Sequence, residues 1–262
     1  MPRLNLPVKA RSEGEVSCSG KPRPFPTSRP GFRQFLFLAG IGIFGALLEA
    51  AAQEGPKGDS GVFEIRSAER RVGTESFKII PSGSGWEATG ELQLEAAGGP
   101  EILESCTLRL NTGFYPTAYE RRQKSPKKGE IVAQFEPSQT TLVSRTEEGD
   151  QEQVFFLPQD HLAVLDTNFF HHYWLLLRQY DSAQAGAQPF NIFIPQEATP
   201  GTLSLELQGK ENEVPGGVKR EVNHFQLTTE ELKIEIWATP EGEIERIWIP
   251  QAGLEVVRQH TR

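Results

Sequence analysis

Three histidines, His161, His171 and His172, fall within a short stretch, and Cys106 is the one cysteine beyond residue 52. A metal ion held on one helix face takes ligands four residues apart, whereas adjacent residues point about 100° apart around the axis. For His171 and His172 to share an ion, His161 has to fold back and a carboxylate such as Asp160 has to join them. The three are therefore the metal-ligand candidates, but their spacing reads as polar-face or rim histidines, and neither a metal nor a cofactor is expected. Cys106 alternates with Leu108 and Leu110, as on a strand pointing inward. A reactive thiol needs an electropositive setting, so Cys106 reads as a buried structural thiol. One cysteine makes no intrachain disulfide, and the domain must be stable through its core alone.

Leu165-Asp166-Thr167-Asn168 is similar to the Asp-Thr-Gly loop of aspartic proteases, but Asn168 stands where that loop needs glycine. A single-chain enzyme of that type also needs a second such loop, and the sequence has none, so Asp166 reads as a helix cap. There is no Cys-x-x-Cys, His-Glu-x-x-His, calcium-loop or Gly-x-Ser-x-Gly pattern. The glycine-rich stretches sit in turns between strands, so no phosphate-cradling loop is expected. Acidic residues such as Glu235, Glu243 and Glu245 alternate with apolar ones, as on a solvated sheet face. A hydrolase with a carboxylate pair meeting across strands is the third-ranked reading. No catalytic residue is assigned, and the inventory favours a protein that is not an enzyme.

The element that has to position all of this is Val164–Tyr180. Phe169, Tyr173, Leu176, Leu177 and Tyr180 fall on one face at helical spacing. Phe170, Trp174 and Leu175 widen that face until Asn168, His171, His172, Arg178 and Gln179 are the polar remainder. A helix this apolar is buried on most of its circumference, and Asp166 or Thr167 is placed to cap it. Nearly everything else reads as strand. Trp86, Ala88, Gly90, Leu92 and Leu94 alternate with polar residues, as do Leu203, Leu205 and Leu207, and Leu232, Ile234 and Ile236. Thr239-Pro240-Glu241-Gly242 closes a hairpin, and Leu254 and Val256 suggest a last edge strand. The expected fold is mainly β: one large curved antiparallel sheet, a half-barrel or open barrel, wrapped on one central helix.

The 262-residue chain carries 27 Lys+Arg against 35 Asp+Glu. Residues 1–52 hold seven of the bases and three of the acids, leaving 20 against 32, a net −12 for the remainder. That surface repels phosphates and offers no counterion release, so nucleic acid is not an expected partner. Arg121, Arg122 and Gln123–Gly129 form the one basic cluster. It reads as a solvated hairpin, with contact to anionic lipid as its sharper reading. Phe35–Leu48 is a 14-residue apolar run after Arg29 and Arg33, followed by Ala50-Ala51-Ala52, which marks a secretory signal cleaved before Gln53. Residues 1–52 are thus expected to be a disordered extension plus signal peptide, 53–60 a linker, and 61–258 one β-rich domain. The product is exported, periplasmic or secreted, with membrane association only through an uncleaved leader.

The order of parts is a strand, the charged Glu69-Arg70-Arg71 hinge, a Val72-Gly73-Thr74 strand start, a long meander, one Asp-capped aromatic helix and the Ile234–Ile249 hairpin. It resembles a broad family of exported bacterial proteins of unknown function, whose long curved sheet is similar in outline to the half-barrels of periplasmic lipoprotein carriers. The resemblance covers about residues 61–258 and brings no catalytic residues. Two binding readings follow. In the first, a lipid or other apolar small molecule lies between sheet and helix, lined by Phe169, Tyr173, Trp174 and Leu177 with Trp86 and Trp237 from the sheet. In the second, an envelope protein adds to a sheet edge.

Overall fold

The computed structural model describes residues 57–95, 99–212, 214 and 219–260. The expected leader, and the linker before Lys57, lie outside the described residues. Period-two alternation builds the first half of the domain. In β3 (Gly85–Leu94), Trp86, Ala88, Gly90 and Leu92 are buried while the residues between them face out, as pleating requires. The same rule organises β1 (Asp59–Ser67), β2 (Arg70–Ser82), β4 (Ile102–Asn111), β5 (Pro116–Ser125), β6 (Gly129–Phe135) and β7 (Thr140–Thr146). With β8 (Gly149–Phe155), these form an antiparallel meander in chain order.

After β9 (Leu162–Val164) and the helix α1 (His172–Gln179), a second meander follows. It comprises β10 (Gln188–Ile194), β11 (Thr199–Glu211), β12 (Val222–Thr228), β13 (Lys233–Ala238), β14 (Ile244–Ile249) and β15 (Leu254–Arg258). The two meanders join where β1 pairs β15, from Phe63↔Arg258 to Ser67↔Leu254. The result is one open 15-stranded sheet, with β8 at one edge and β9 at the other. All neighbours are antiparallel except β9 and β10, which pair in parallel over three residues. The mainly β, curved-sheet expectation holds. The expected last edge strand does not, because β15 is hydrogen-bonded on both sides, by β1 and by β14.

The sheet curls until its halves touch. Phe193 of β10 packs against Phe155 of β8 and Phe135 of β6, with ring centroids 4.9 and 6.2 Å apart. Segment 165–179 fills the concave face, and Phe169, His171, His172 and Leu176 are wholly buried there. The helix proper is only eight residues long and begins at His172 rather than near Val164. Val164 belongs to β9, which gains a backbone partner on β10, and a short apolar run carries no periodicity that separates these two states. Neither Asp166 nor Thr167 caps the helix. His171 occupies the cap position without a side-chain bond, and Asp166 Oδ1 accepts from its neighbour's N–H, Thr167 N, at 2.6 Å. A helix this short is marginal alone and is held by packing. Among the described residues no helix is long and apolar enough to cross a membrane.

Candidate functional site

Strand register brings a set of polar side chains together on the concave face. Phe77, Gly90, Cys106 and Arg121 form one cross-strand row through β2 to β5, and Glu75, Leu92 and Glu104 form the next. Gly90 is the opening in this floor. A Cβ there would lie 2.6 Å from His171 Cε1 and 3.0 Å from Phe169 Cδ1, so the segment before α1 rests directly on β3 backbone. The His171 ring lies parallel to Phe77, with centroids 5.9 Å apart.

Glu75 is completely buried and anchors this segment. It accepts hydrogen bonds from Phe170 N at 2.8 Å and His171 N at 3.4 Å, and its carboxyl also contacts His171 Nδ1. Burial pushes the Glu75 carboxyl up to about 8 against the pull of the two backbone donors. Burial likewise pushes His171 down to about 3, so the two meet as a neutral pair sharing one proton. His172 is held well below the usual imidazole range by burial and by His171. Its Nδ1 accepts from Asp166 N at 3.1 Å, and its Nε2 lies 3.8 Å from Cys106 Sγ. The neutral ring therefore carries its proton on Nε2.

Burial, then the nearby Asp166 and Glu75, drive the Cys106 thiol well above its ordinary range, so it stands as a thiol rather than a nucleophilic thiolate. One floor position away, Arg121 holds Glu104 in a two-pronged ion pair, with Nε donating to Oε2 at 3.1 Å. Three buried polar atoms nearby have no partner: His171 Nε2, Asp166 Oδ2 and Tyr119 Oη.

The histidines are thus not rim residues. His171 and His172 are both 0% exposed, and the third member of their group is Cys106 rather than His161. One ring nitrogen of each and Cys106 Sγ all lie within 4.8 Å of one another. His161 is exposed at positive φ beside Phe190, and Asp160 contributes its backbone carbonyl to Asn191. Glu75 and Glu104 escaped the sequence reading, and Arg121 entered it only as part of an exposed basic cluster, although the signal was present. Glu75 is in phase with Phe77 and Ile79, Glu104 with Cys106 and Leu108, and Arg121 with Tyr119. The basic cluster shrinks accordingly, because Arg121 is buried and Arg122 pairs with Glu120 and Glu130.

Of the six expected ligand-lining residues, five gather in the main core. Phe169, Tyr173, Trp174 and Trp86 are buried, and Leu177 packs partly exposed against them. Trp86 and Trp174 lie 5.9 Å apart, with Phe114 against both at 5.2 and 5.8 Å. Trp237 belongs elsewhere, to a separate cluster with Val214, Val222 and Trp248. Ile234 and Ile236 face inward, so the next residue on β13 faces out, where Trp237 stacks on His224 at 4.6 Å. Two depressions, of about 370 and 170 Å³, lie over β2–β4 and beside β6–β8, and no residue of α1 lines either.

No family model matches the chain, and no curated protein matches it. Among solved structures it is similar to a β-barrel-like protein of the domain of unknown function DUF1849 from Brucella abortus. That match has 9% identity and a TM-score of 0.51, covering 78% of this chain and 96% of that one. A DUF1089 family protein from Pseudomonas aeruginosa matches at 7% identity and a TM-score of 0.42, over 68% of this chain and 90% of that one. The first likeness extends to the fold, a barrel-like curved sheet in a protein of unknown function.

Proposed function

We propose that the protein is an exported, non-enzymatic cell-envelope domain that takes up an extended segment of another envelope protein along β8. The contrast between the two edges of the sheet carries this reading. Leu162, Ala163 and Val164 of β9 are buried, and Gln179 covers Leu162 from α1. β8 pairs with β7 alone among the described residues, and its first six residues are all exposed. Val154 is 47% exposed and Phe156, just beyond the strand, 80%. An unpaired edge flanked by exposed apolar side chains is what strand addition uses, backbone groups giving affinity and side chains specificity. Asp150 and Glu152 make this edge acidic, which disfavours pairing of two copies and favours a partner segment with basic residues.

Export is supported by the apolar Phe35–Leu48 run and the Ala50–Ala52 site. A non-enzymatic role is supported by the burial of the one cluster of thiol and imidazole groups among the described residues. An apolar ligand between helix and sheet has less support, because Phe169, Trp174 and Trp86 fill that interface themselves.

A photo-crosslinking residue at Phe156, compared with one at the exposed Lys78 of β2, tests the reading in intact envelopes. The expected result is a discrete protein adduct from position 156 alone, lost on Glu152→Lys, from a chain whose N-terminus is Gln53. Equal labelling at both positions would overturn it, as would stoichiometric co-purifying lipid with no adduct.

A further inference from the structure

We infer that Cys106, His171 and His172 form a structural binding site for one transition-metal ion, zinc(II), which ties the segment before α1 to β4. The donor set fits the ion. One thiolate and two imidazoles suit a borderline-soft cation, and closed, buried sites built from these residue types are those in which zinc holds folds together. The three residues come from places far apart in the chain, so an ion between them is a cross-link across 66 residues of sequence.

The geometry is close to what a tetrahedral ion needs. With Zn–S of about 2.3 Å and Zn–N of about 2.0–2.1 Å, a tetrahedron places sulfur and nitrogen ligands ~3.6 Å apart. Cys106 Sγ and His172 Nε2 lie 3.8 Å apart, and no separation within the trio exceeds 4.8 Å. The longest therefore has to close by about 1 Å. Gly90 removes the side chain that would otherwise crowd His171 from the sheet.

A second observation points to a ligand independently. His171 is wholly buried, and its Nε2 has no hydrogen-bond partner, while Nδ1 is engaged by Glu75. Once the Glu75 proton has passed to Nδ1, a carboxylate on one ring nitrogen with the ion on the other is the arrangement that orients metal-binding histidines. Three protein ligands define the site, since no other His, Cys, Asp or Glu among the described residues joins them at that spacing.

Loading has a defined chemical balance. Zinc(II) enters and two protons leave to solvent, that of the Cys106 thiol and the one His171 carries on Nε2, while the Glu75 proton passes to His171 Nδ1 and leaves a carboxylate against it. The His172 proton moves from Nε2 to Nδ1, so the ring can no longer accept from Asp166 N. The Asp166 amide therefore loses its acceptor when the ion binds.

The test unfolds the full-length chain in denaturant with chelator and reductant, then refolds it with zinc(II) or cobalt(II). One ion retained per chain after dialysis is expected, with a raised unfolding midpoint for zinc. Cobalt should give thiolate-to-metal charge-transfer absorption that vanishes in Cys106→Ala, a variant whose strand circular dichroism should be unchanged. Glu75→Gln should weaken retention on the order of 10–100-fold by putting a neutral amide in place of the carboxylate on the His171 ring. Faster hydrogen exchange at the Asp166 amide should accompany loading. Wild-type protein that regains its fold but keeps no ion would overturn the proposal. Equal retention by Cys106→Ala would trace the ion to other histidines and overturn it too. Retention of copper(I) in place of zinc would overturn the choice of ion.

Discussion

The Arg121 guanidinium and the Glu104 carboxylate meet in a two-pronged ion pair on the inward face of β5 and β4, with their side chains only 10% and 4% exposed. They lie diagonally across the strands, Arg121 opposite Cys106 and Glu104 in the next row, so one charge of each sign sits in the floor beside Cys106. Carrying these charges into a core costs several kcal/mol per ion, and the pair offsets this only while both members are present.

Arg121→Met should therefore destabilise the domain by about 3–5 kcal/mol, because it leaves Glu104 charged and alone. The double variant Arg121→Met/Glu104→Leu should recover most of that loss. Urea unfolding of wild type, both single variants and the double variant gives the coupling energy. Additive single effects would show that the two side chains do not act as a pair.

Glu75 should respond to the shape of its replacement more than to its charge. Glu75→Gln keeps an oxygen for the Phe170 N–H and an amide facing the His171 ring, and should cost less than about 1.5 kcal/mol. Glu75→Ala strands two buried backbone donors and opens a cavity, for about 3 kcal/mol or more. The difference is read as a shift in urea midpoint at unchanged slope.

The fold was legible because a half-buried sheet writes its face into every second residue, and Trp86-x-Ala88-x-Gly90-x-Leu92 needs no tertiary information to be read. The helix boundary was not. Leu162–Val164 becomes a strand because β10 offers it backbone partners, which no local pattern reveals. The buried cluster lay between these cases. Period two already placed Glu75 in phase with Phe77 and Cys106 in phase with Leu108. Which strands neighbour each other is set by register, and that decides that His171 and His172 meet Cys106 rather than His161. The same alternation placed Trp237 on the opposite face from Ile236, against its assignment to the concave side.

Gly90→Ala should be costly for a reason that glycine's flexibility does not supply. The added methyl would meet His171 and Phe169 at 2.6–3.0 Å, and overpacking of this kind costs typically about 1–3 kcal/mol. Gly129, where the nearest atom to an added Cβ is 3.6 Å away, serves as the control. Gly129→Ala should be neutral or stabilising by up to about 1 kcal/mol. Equal midpoints for the two variants would mean that the segment before α1 does not rest on β3.

Trp174 and Trp237 separate the core of the concave face from the cluster outside it. Trp174 is 1% exposed, is wedged against Trp86 and Phe114, and carries the Arg178 guanidinium 4.3 Å over its ring. Truncating it removes contacts on every side in a place that cannot collapse, so Trp174→Ala should cost about 3–5 kcal/mol. Trp237 stacks on His224, donates to Glu211 at 3.1 Å and lies under Arg246, all partners reachable by water. Trp237→Ala should cost about 2 kcal/mol or less, since water and the flexible Arg246 can fill the space. Because the two residues belong to separate clusters, the double variant should equal the sum of the singles within about 0.5 kcal/mol. A coupling larger than that in urea unfolding would place Trp237 in contact with the concave side after all, and would revive it as a neighbour of Phe169 and Tyr173.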